Sequence, residues 1–344
     1  MSTQTVTHKP SGGEKLNQLA NGFVISSAIN AVIRLDVAEL IGDGEMAIDA
    51  LAKKAGANED ALYRVMRFLS CVDVFKQVRD RVFANNDTSN AMRGDVPGSQ
   101  KAVAEFITDV FHFQMYADMV PTIKSGKTAV EHVTGRNIFD VFKDNPDEQR
   151  RFDDAMTGHS RNGAAAVAKA YDFSGIETLA DIAGGHALLL TTILEQYPQM
   201  KGILFDLDHV CPGATARIKE MGLDGRCSTV SGDFFKSVPT ADAYIMKHII
   251  HDWHDERCIT ILKNIHAAMA KSGAGKLLIV EMILPPTSDQ PHPSFFLDIE
   301  MLMLPGGRER TEEEYKALLQ KAGFTLSRVV RMQSPNCIIE AIPS

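Results

Sequence analysis

LADIAGGHALLLTTILEQYP, residues 179–198, decides how the rest of the chain is read. Leu179–Ala183 is a short apolar run of strand type, Gly184-Gly185 supplies a tight turn, and a helical period starts near Ala187. Glycines at such a junction let a ligand approach the backbone where the first helical amides point outward. A lone Gly-Gly turn says little, but its neighbours repeat the pattern. Thr178–Ala183, Gly202–Phe205, Ala243–Ile250 and Lys276–Val280 are strand-like. They alternate with helical stretches such as Leu188–Tyr197 and Cys258–Ala270. This alternation predicts an α/β domain with a doubly wound, mostly parallel sheet.

Acidic residues stand at the ends of successive strands. Asp181 closes the first, Asp206 in GILFDLDHV the second, and Asp233 in VSGDFF the third, with Phe234 beside it. Singly, each reads as a helix cap or turn residue; three in register suggest a shared ligand. A carboxylate at the position of Asp206 can accept from both hydroxyls of a ribose. Asp233 with Phe234 can hold and sandwich an adenine. Nicotinamide dinucleotides and S-adenosylmethionine both satisfy this pattern. However, Ala183-Gly184-Gly185-His186-Ala187 is not the G-x-G-x-x-G of the former, and no pyrophosphate loop is evident. Gly273-Ala274-Gly275-Lys276 lacks the upstream glycine of a phosphate loop and precedes a strand, so it reads as a turn.

The chain has 344 residues, and at roughly 100–200 residues per domain two domains are expected. Net charge is −8, which disfavours a nucleic-acid coat. Five scattered cysteines suit a reducing compartment and give no zinc or disulfide framework. The polar start MSTQTVTHKPSGGEK has no secretory signal, and no uninterrupted apolar run nears the roughly 18 residues of a membrane span. A soluble, cytoplasmic protein with no membrane or nucleic-acid partner is expected. Residues 1–15 read as a polar arm, and Leu16 to about Phe75 as helices. DVFKQVRDRVFA, 73–84, reads as a short hairpin, giving residues 1–105 a winged-helix look. Its basic residues are interspersed with acids, so dimerisation is the expected use of the shape rather than DNA binding. Residues 106–344 then comprise bridging helices and the α/β domain.

DIAGGHA, LFDLDHV, SGDFF, MKHIIHDWHDE, VEMILP and PGGRERT occur in an order and spacing that resemble the class I S-adenosylmethionine-dependent O-methyltransferases of the caffeic acid, hydroxyindole and polyketide-tailoring type. The resemblance spans nearly the whole chain. It implies a Rossmann-like methyltransferase domain, a mainly helical dimerisation domain and a homodimer. It further implies that Gly184 and Gly185 back the methionine part of S-adenosylmethionine. Asp206 would hold the ribose, Asp233 and Phe234 flank the adenine, and Lys247 complete the site. The run FDDAMTGHS would place Met156, His159 and Ser160 nearby. The glycine loop departs from the family's D-x-G-G-G-x-G, because Ala183 and Ala187 replace its first and last glycines.

Methyl transfer to a hydroxyl needs alignment and proton removal. His251, at the start of HDWHDE, is of the right type and sits where open sheets hold ligands. By resemblance it is the base, assisted by Glu281 at the end of LLIVE and Glu309 in PGGRERT. Asp252 reads as a helix cap, His248 as a strand residue and His254 as a surface residue. No metal site is expected from this cluster, whose spacing fits none. Asp298 and Met301 match acceptor-side positions, and with Met156, Phe139, Phe295 and Leu302 they suggest an apolar pocket for a small hydroxylated aromatic. Two other readings remain open. One is a relative that keeps the cofactor but decarboxylates or hydroxylates a polyketide; the other is a ligand-sensing winged-helix regulator.

Overall fold

The computed structural model describes residues 10–273 and 275–344, with the side chains of residues 157, 159–162 and 272 outside the description. Contacts divide the chain into two units, Met1–Phe113 and Gln114–Ser344, where the sequence suggested 105/106.

In the first unit, helices Ile48–Ala55 and Glu59–Cys71 pack with a three-stranded antiparallel sheet. Its strands are β1 (Glu45–Ala47), β2 (Phe75–Arg79) and β3 (Val82–Asn85), in the order β1-β3-β2. The second helix starts where the Asn58 side chain accepts the Ala61 N–H at 3.0 Å, with Glu59 and Asp60 in its first turn. Leu62, Met66 and Leu69 recur at helical spacing and are buried against Phe75 and Phe83. The helix-and-hairpin outline is that of a winged helix. The stretch Gly12–Arg34 is long and apolar enough to cross a membrane by length and composition. A search for uninterrupted apolar runs passes over it, because Asn17, Asn21 and Ser26 break the pattern. It leaves Leu16, Leu19 and Phe23 exposed.

The second unit is built on β4 (Thr178–Ile182), β5 (Lys201–Asp206), β6 (Cys227–Ser231), β7 (Ala243–Lys247), β8 (Lys276–Leu284), β9 (Arg310–Thr311), β10 (Phe324–Arg331) and β11 (Asn336–Pro343). Strands run β10-β11-β8-β7-β4-β5-β6, and β9 pairs with β8. The five strands from β8 to the edge strand β6 are parallel, while β11 is antiparallel to β8 and β10 to β11. Side chains alternate between two buried faces, as both-sided covering of a parallel sheet requires. Leu179, Leu204, Ile245 and Leu278 pack under helix Leu188–Gln196, whereas Ala180, Tyr244, Met246 and Ile279 pack under helix Asp255–Ser272. The chain order reverses between β4 and β7, and the carboxyl ends there flank the crevice where such sheets bind ligands. One expected strand is shorter than read: β7 stops at Lys247, because His248 takes a left-handed backbone (φ 54°) that no strand accommodates.

Candidate active site

The turn after β4 is tightly wound. Ala183, Gly185 and Ala187 have φ of 55°, 57° and 62°, so two L-residues hold conformations that favour glycine. They are fixed there by backbone bonds, Ala183 N–H to Phe205 O at 2.7 Å and Ala187 N–H to Gly184 O at 3.1 Å. Gly184 has no alternative: a Cβ would lie 2.5 Å from the Asp181 carboxylate and 2.6 Å from Leu204. Gly185 differs, since its Cβ position meets no atom within 4 Å and faces open space.

Three charges surround this turn. Asp206 accepts the Gly185 N–H at 2.8 Å and the Leu207 N–H at 2.7 Å; burial raises its pKa against those two bonds. Asp181 is buried and its Oδ2 has no hydrogen-bond partner. Burial pushes it up to about 7, the charge of Asp206 adds to the rise, and Lys247 opposes it. Burial also pulls Lys247 down to about 8, against Glu281 and Asp181. A position at Gly184 with no room for a Cβ, open space over Gly185 and an unsatisfied buried carboxylate oxygen fit a cationic adenosyl cofactor.

In the turn after β6, Asp233 accepts the Phe235 N–H at 2.9 Å, and Asn264 donates to the Phe234 carbonyl at 2.8 Å. Trp253 joins them. Its ring lies 6.1 Å from that of Phe234 and 4.9 Å from that of Phe235, and it stacks on Phe139 at 5.6 Å. Sequence reading passed over this tryptophan, although it is the chain's single Trp and follows His251-Asp252 directly. Ser160 and His159 lie outside the described residues. Met156 is exposed on helix Pro146–Ala170.

The catalytic candidates converge. His251 is 4% exposed on a short 3₁₀ turn, Ile250–Asp252, and its Nδ1 lies 2.6 Å from Glu309 Oε1. Glu281, fully buried on β8, accepts the backbone N–H groups of Ile249, Ile250 and His251 at 3.1, 3.0 and 3.3 Å. Its other oxygen is 3.5 Å from His251 Nδ1. Burial lowers the pKa of His251, but Glu281, Asp252 and Glu309 outweigh it and push the imidazole up to about 10. Asp252 is not a helix cap. The backbone of His254 occupies the N-cap of helix Asp255–Ser272, and the Asp252 carboxylate lies 3.5 Å from His251 Nε2. Burial raises Asp252 to about 6, and His251 restrains the rise.

The segment 306–310 clamps this turn. Arg308 N–H donates to His251 O at 2.8 Å, and a Cβ on Gly307 would overlap that carbonyl. Buried Arg310 donates to Ile250 O at 3.2 Å and to Trp253 O at 2.9 Å. Asp298, expected on the acceptor side, accepts the Glu309 N–H at 2.8 Å and so holds this segment. Met301 is buried nearby on the same helix, Pro293–Met303. His248 is not the strand residue expected: it follows β7, and its Nδ1 is 3.7 Å from Glu281 Oε2.

Residues 114–325 match the O-methyltransferase domain family and residues 17–94 the O-methyltransferase dimerisation domain. The phenazine O-methyltransferase PhzM of Lysobacter antibioticus is 37% identical over 329 residues, 95% of each chain. A crystal structure of LaPhzM superposes with TM-score 0.89 at 36% identity, covering 97% of this chain and 100% of that one. CalO1, a methyltransferase of calicheamicin biosynthesis solved in its SAH-bound form, superposes with TM-score 0.87 at 29% identity over 98% of this chain and 100% of its own.

Proposed function

Because this chain belongs to the S-adenosylmethionine-dependent O-methyltransferase family, we propose that it methylates a hydroxyl on a flat aromatic or heteroaromatic acceptor, with His251 as base. The phenazine O-methyltransferase relative and the apolar Phe139, Phe295 and Met301 support this acceptor class. When bound, S-adenosylmethionine supplies a methyl group activated by its sulfonium. Gly184 and Gly185 would back its methionine part, Asp206 its ribose, and Asp233, Phe234 and Trp253 its adenine.

The remaining work belongs to the chain. The observation that carries the reading is the 2.6 Å pair of Glu309 with His251 Nδ1. That bond keeps the Nδ1 proton on Glu309's side and leaves Nε2 to receive the acceptor's proton. The surrounding carboxylates raise the proton affinity of the neutral imidazole towards that of a phenolate, which favours the transfer. Glu281 orients the turn through three backbone amides, and the carboxylates stabilise the imidazolium that results. The matched dimerisation domain supports a homodimer.

His251→Ala is expected to lower turnover by about 10²–10⁴-fold while leaving cofactor affinity, measured by calorimetry, within twofold. Turnover close to that of the parent enzyme would overturn the assignment. Product mass identifies the reaction itself: transfer adds one methyl group, whereas decarboxylation or hydroxylation does not.

A further inference from the structure

We propose that His248, His251 and Glu281 form a site for a Zn²⁺ ion, and that an ion held there silences the enzyme by taking its base. The three residues each offer one ligand atom, and these atoms lie within 4.8 Å of one another. Glu281 Oε2 is 3.7 Å from His248 Nδ1 and 3.5 Å from His251 Nδ1. Tetrahedral zinc with bonds of roughly 2.0–2.2 Å holds its ligand atoms about 3.4 Å apart. The two carboxylate–imidazole separations need shifts of only a few tenths of an ångström. The ligand atoms as a set, spread over as much as 4.8 Å, must draw together further, and Glu309 must yield its place at His251 Nδ1 as the ion enters.

A second, independent observation points to a ligand. Glu281 is fully buried, yet its Oε2 has no hydrogen-bond partner, which is a costly state for a carboxylate oxygen. The other oxygen is fixed by three backbone N–H groups, so the free one is aimed and cannot turn away. Glu309 Oε2 is likewise buried without a hydrogen-bond partner, on the carboxylate whose other oxygen meets His251 Nδ1. His248 holds its ring 4.9 Å from that of His251 from a left-handed backbone, a conformation that costs about 1–3 kcal/mol in a residue other than glycine. Two imidazole nitrogens and carboxylate oxygens without a thiolate suit Zn²⁺ over softer or harder ions.

Coordination through Nδ1 leaves the single imidazole proton on Nε2. The atom that would receive the acceptor's proton is then already protonated, and Glu309 loses its hydrogen-bonded partner. The binding stands on geometry alone, whereas the silencing rests on the reading of His251 as base.

The test uses the full-length chain freed of metal by a chelator. Co²⁺ is added first as a spectroscopic stand-in, then Zn²⁺ in competition with a chromophoric indicator. Methyl transfer is followed with and without Zn²⁺. One ion per chain is expected, with the visible bands of tetrahedral nitrogen–oxygen ligation and no thiolate charge-transfer band. The rate should fall at least about tenfold and recover with chelator. His248→Asn keeps a residue that tolerates the left-handed backbone; it should lose the bands and need at least about tenfold more Zn²⁺ for the same inhibition. Absence of a bound ion, or a His248→Asn enzyme as zinc-sensitive as the parent, would overturn the site and leave the base assignment untouched. An ion bound by these residues with an unchanged rate would overturn the silencing and the base assignment together.

Discussion

Two glutamates flank one histidine, and their geometry divides the work between them. Glu309 makes the short bond to the imidazole, while Glu281 spends one oxygen on three backbone amides of the turn. Hydrogen bonds to a buried charge are worth roughly 1.5–3 kcal/mol each, and leaving their donors unpaired adds desolvation cost. Glu281→Ala is therefore expected to destabilise the fold by about 3 kcal/mol or more in chemical denaturation. Glu309→Gln keeps a polar partner for Nδ1 but removes the charge that stabilises the imidazolium. It should lower kcat by about 10²-fold with denaturation stability within about 1 kcal/mol of the parent. Equal losses of stability in the two variants would show that the division is wrong.

At the scale of elements, the strand–turn–helix of residues 178–196 carries a conformational cost that glycine at positions 183 and 187 would avoid. Ala187 enters helix Leu188–Gln196 from φ 62° and offers it no side-chain cap. Ala187→Gly should raise stability by up to about 1 kcal/mol, seen as a higher Tm, because relief of the left-handed strain exceeds the added chain entropy. A lowered Tm would mean that the buried methyl contributes more by packing than it costs. The same region shows what sequence can and cannot disclose. Asp206, Asp233 and His251 were legible because each follows an apolar run and strand ends converge by topology, whereas Glu281, read as the end of its strand, lies inside β8, which runs on to Leu284. Asp252 and His248 were misread because their positions depend on a strand stopping early at a left-handed residue, which no local propensity announces. The bond from the Glu309 N–H to Asp298 was not legible, since it comes from a loop that returns only once the sheet is assembled.

For the whole molecule, the apolar surface of Gly12–Arg34 calls for cover. Leu16, Leu19 and Phe23 are 67%, 70% and 63% exposed, and most of this stretch falls within the matched dimerisation domain. Burying such side chains is worth about 1.5–3 kcal/mol each. A dimer is expected in sedimentation, and Leu19→Glu with Phe23→Glu should shift it towards monomer; an unchanged dimer would place the subunit contact elsewhere. A different consequence follows from the sheet order. Glu281, which holds the turn at residues 250–252, is paired across the sheet with Cys337 of β11. A growing polypeptide that has reached Lys321 thus already contains every residue proposed to touch cofactor or acceptor, yet one edge of β8 is still bare. Pairing with β11 therefore completes the support of the strand on which Glu281 holds the turn at residues 250–252.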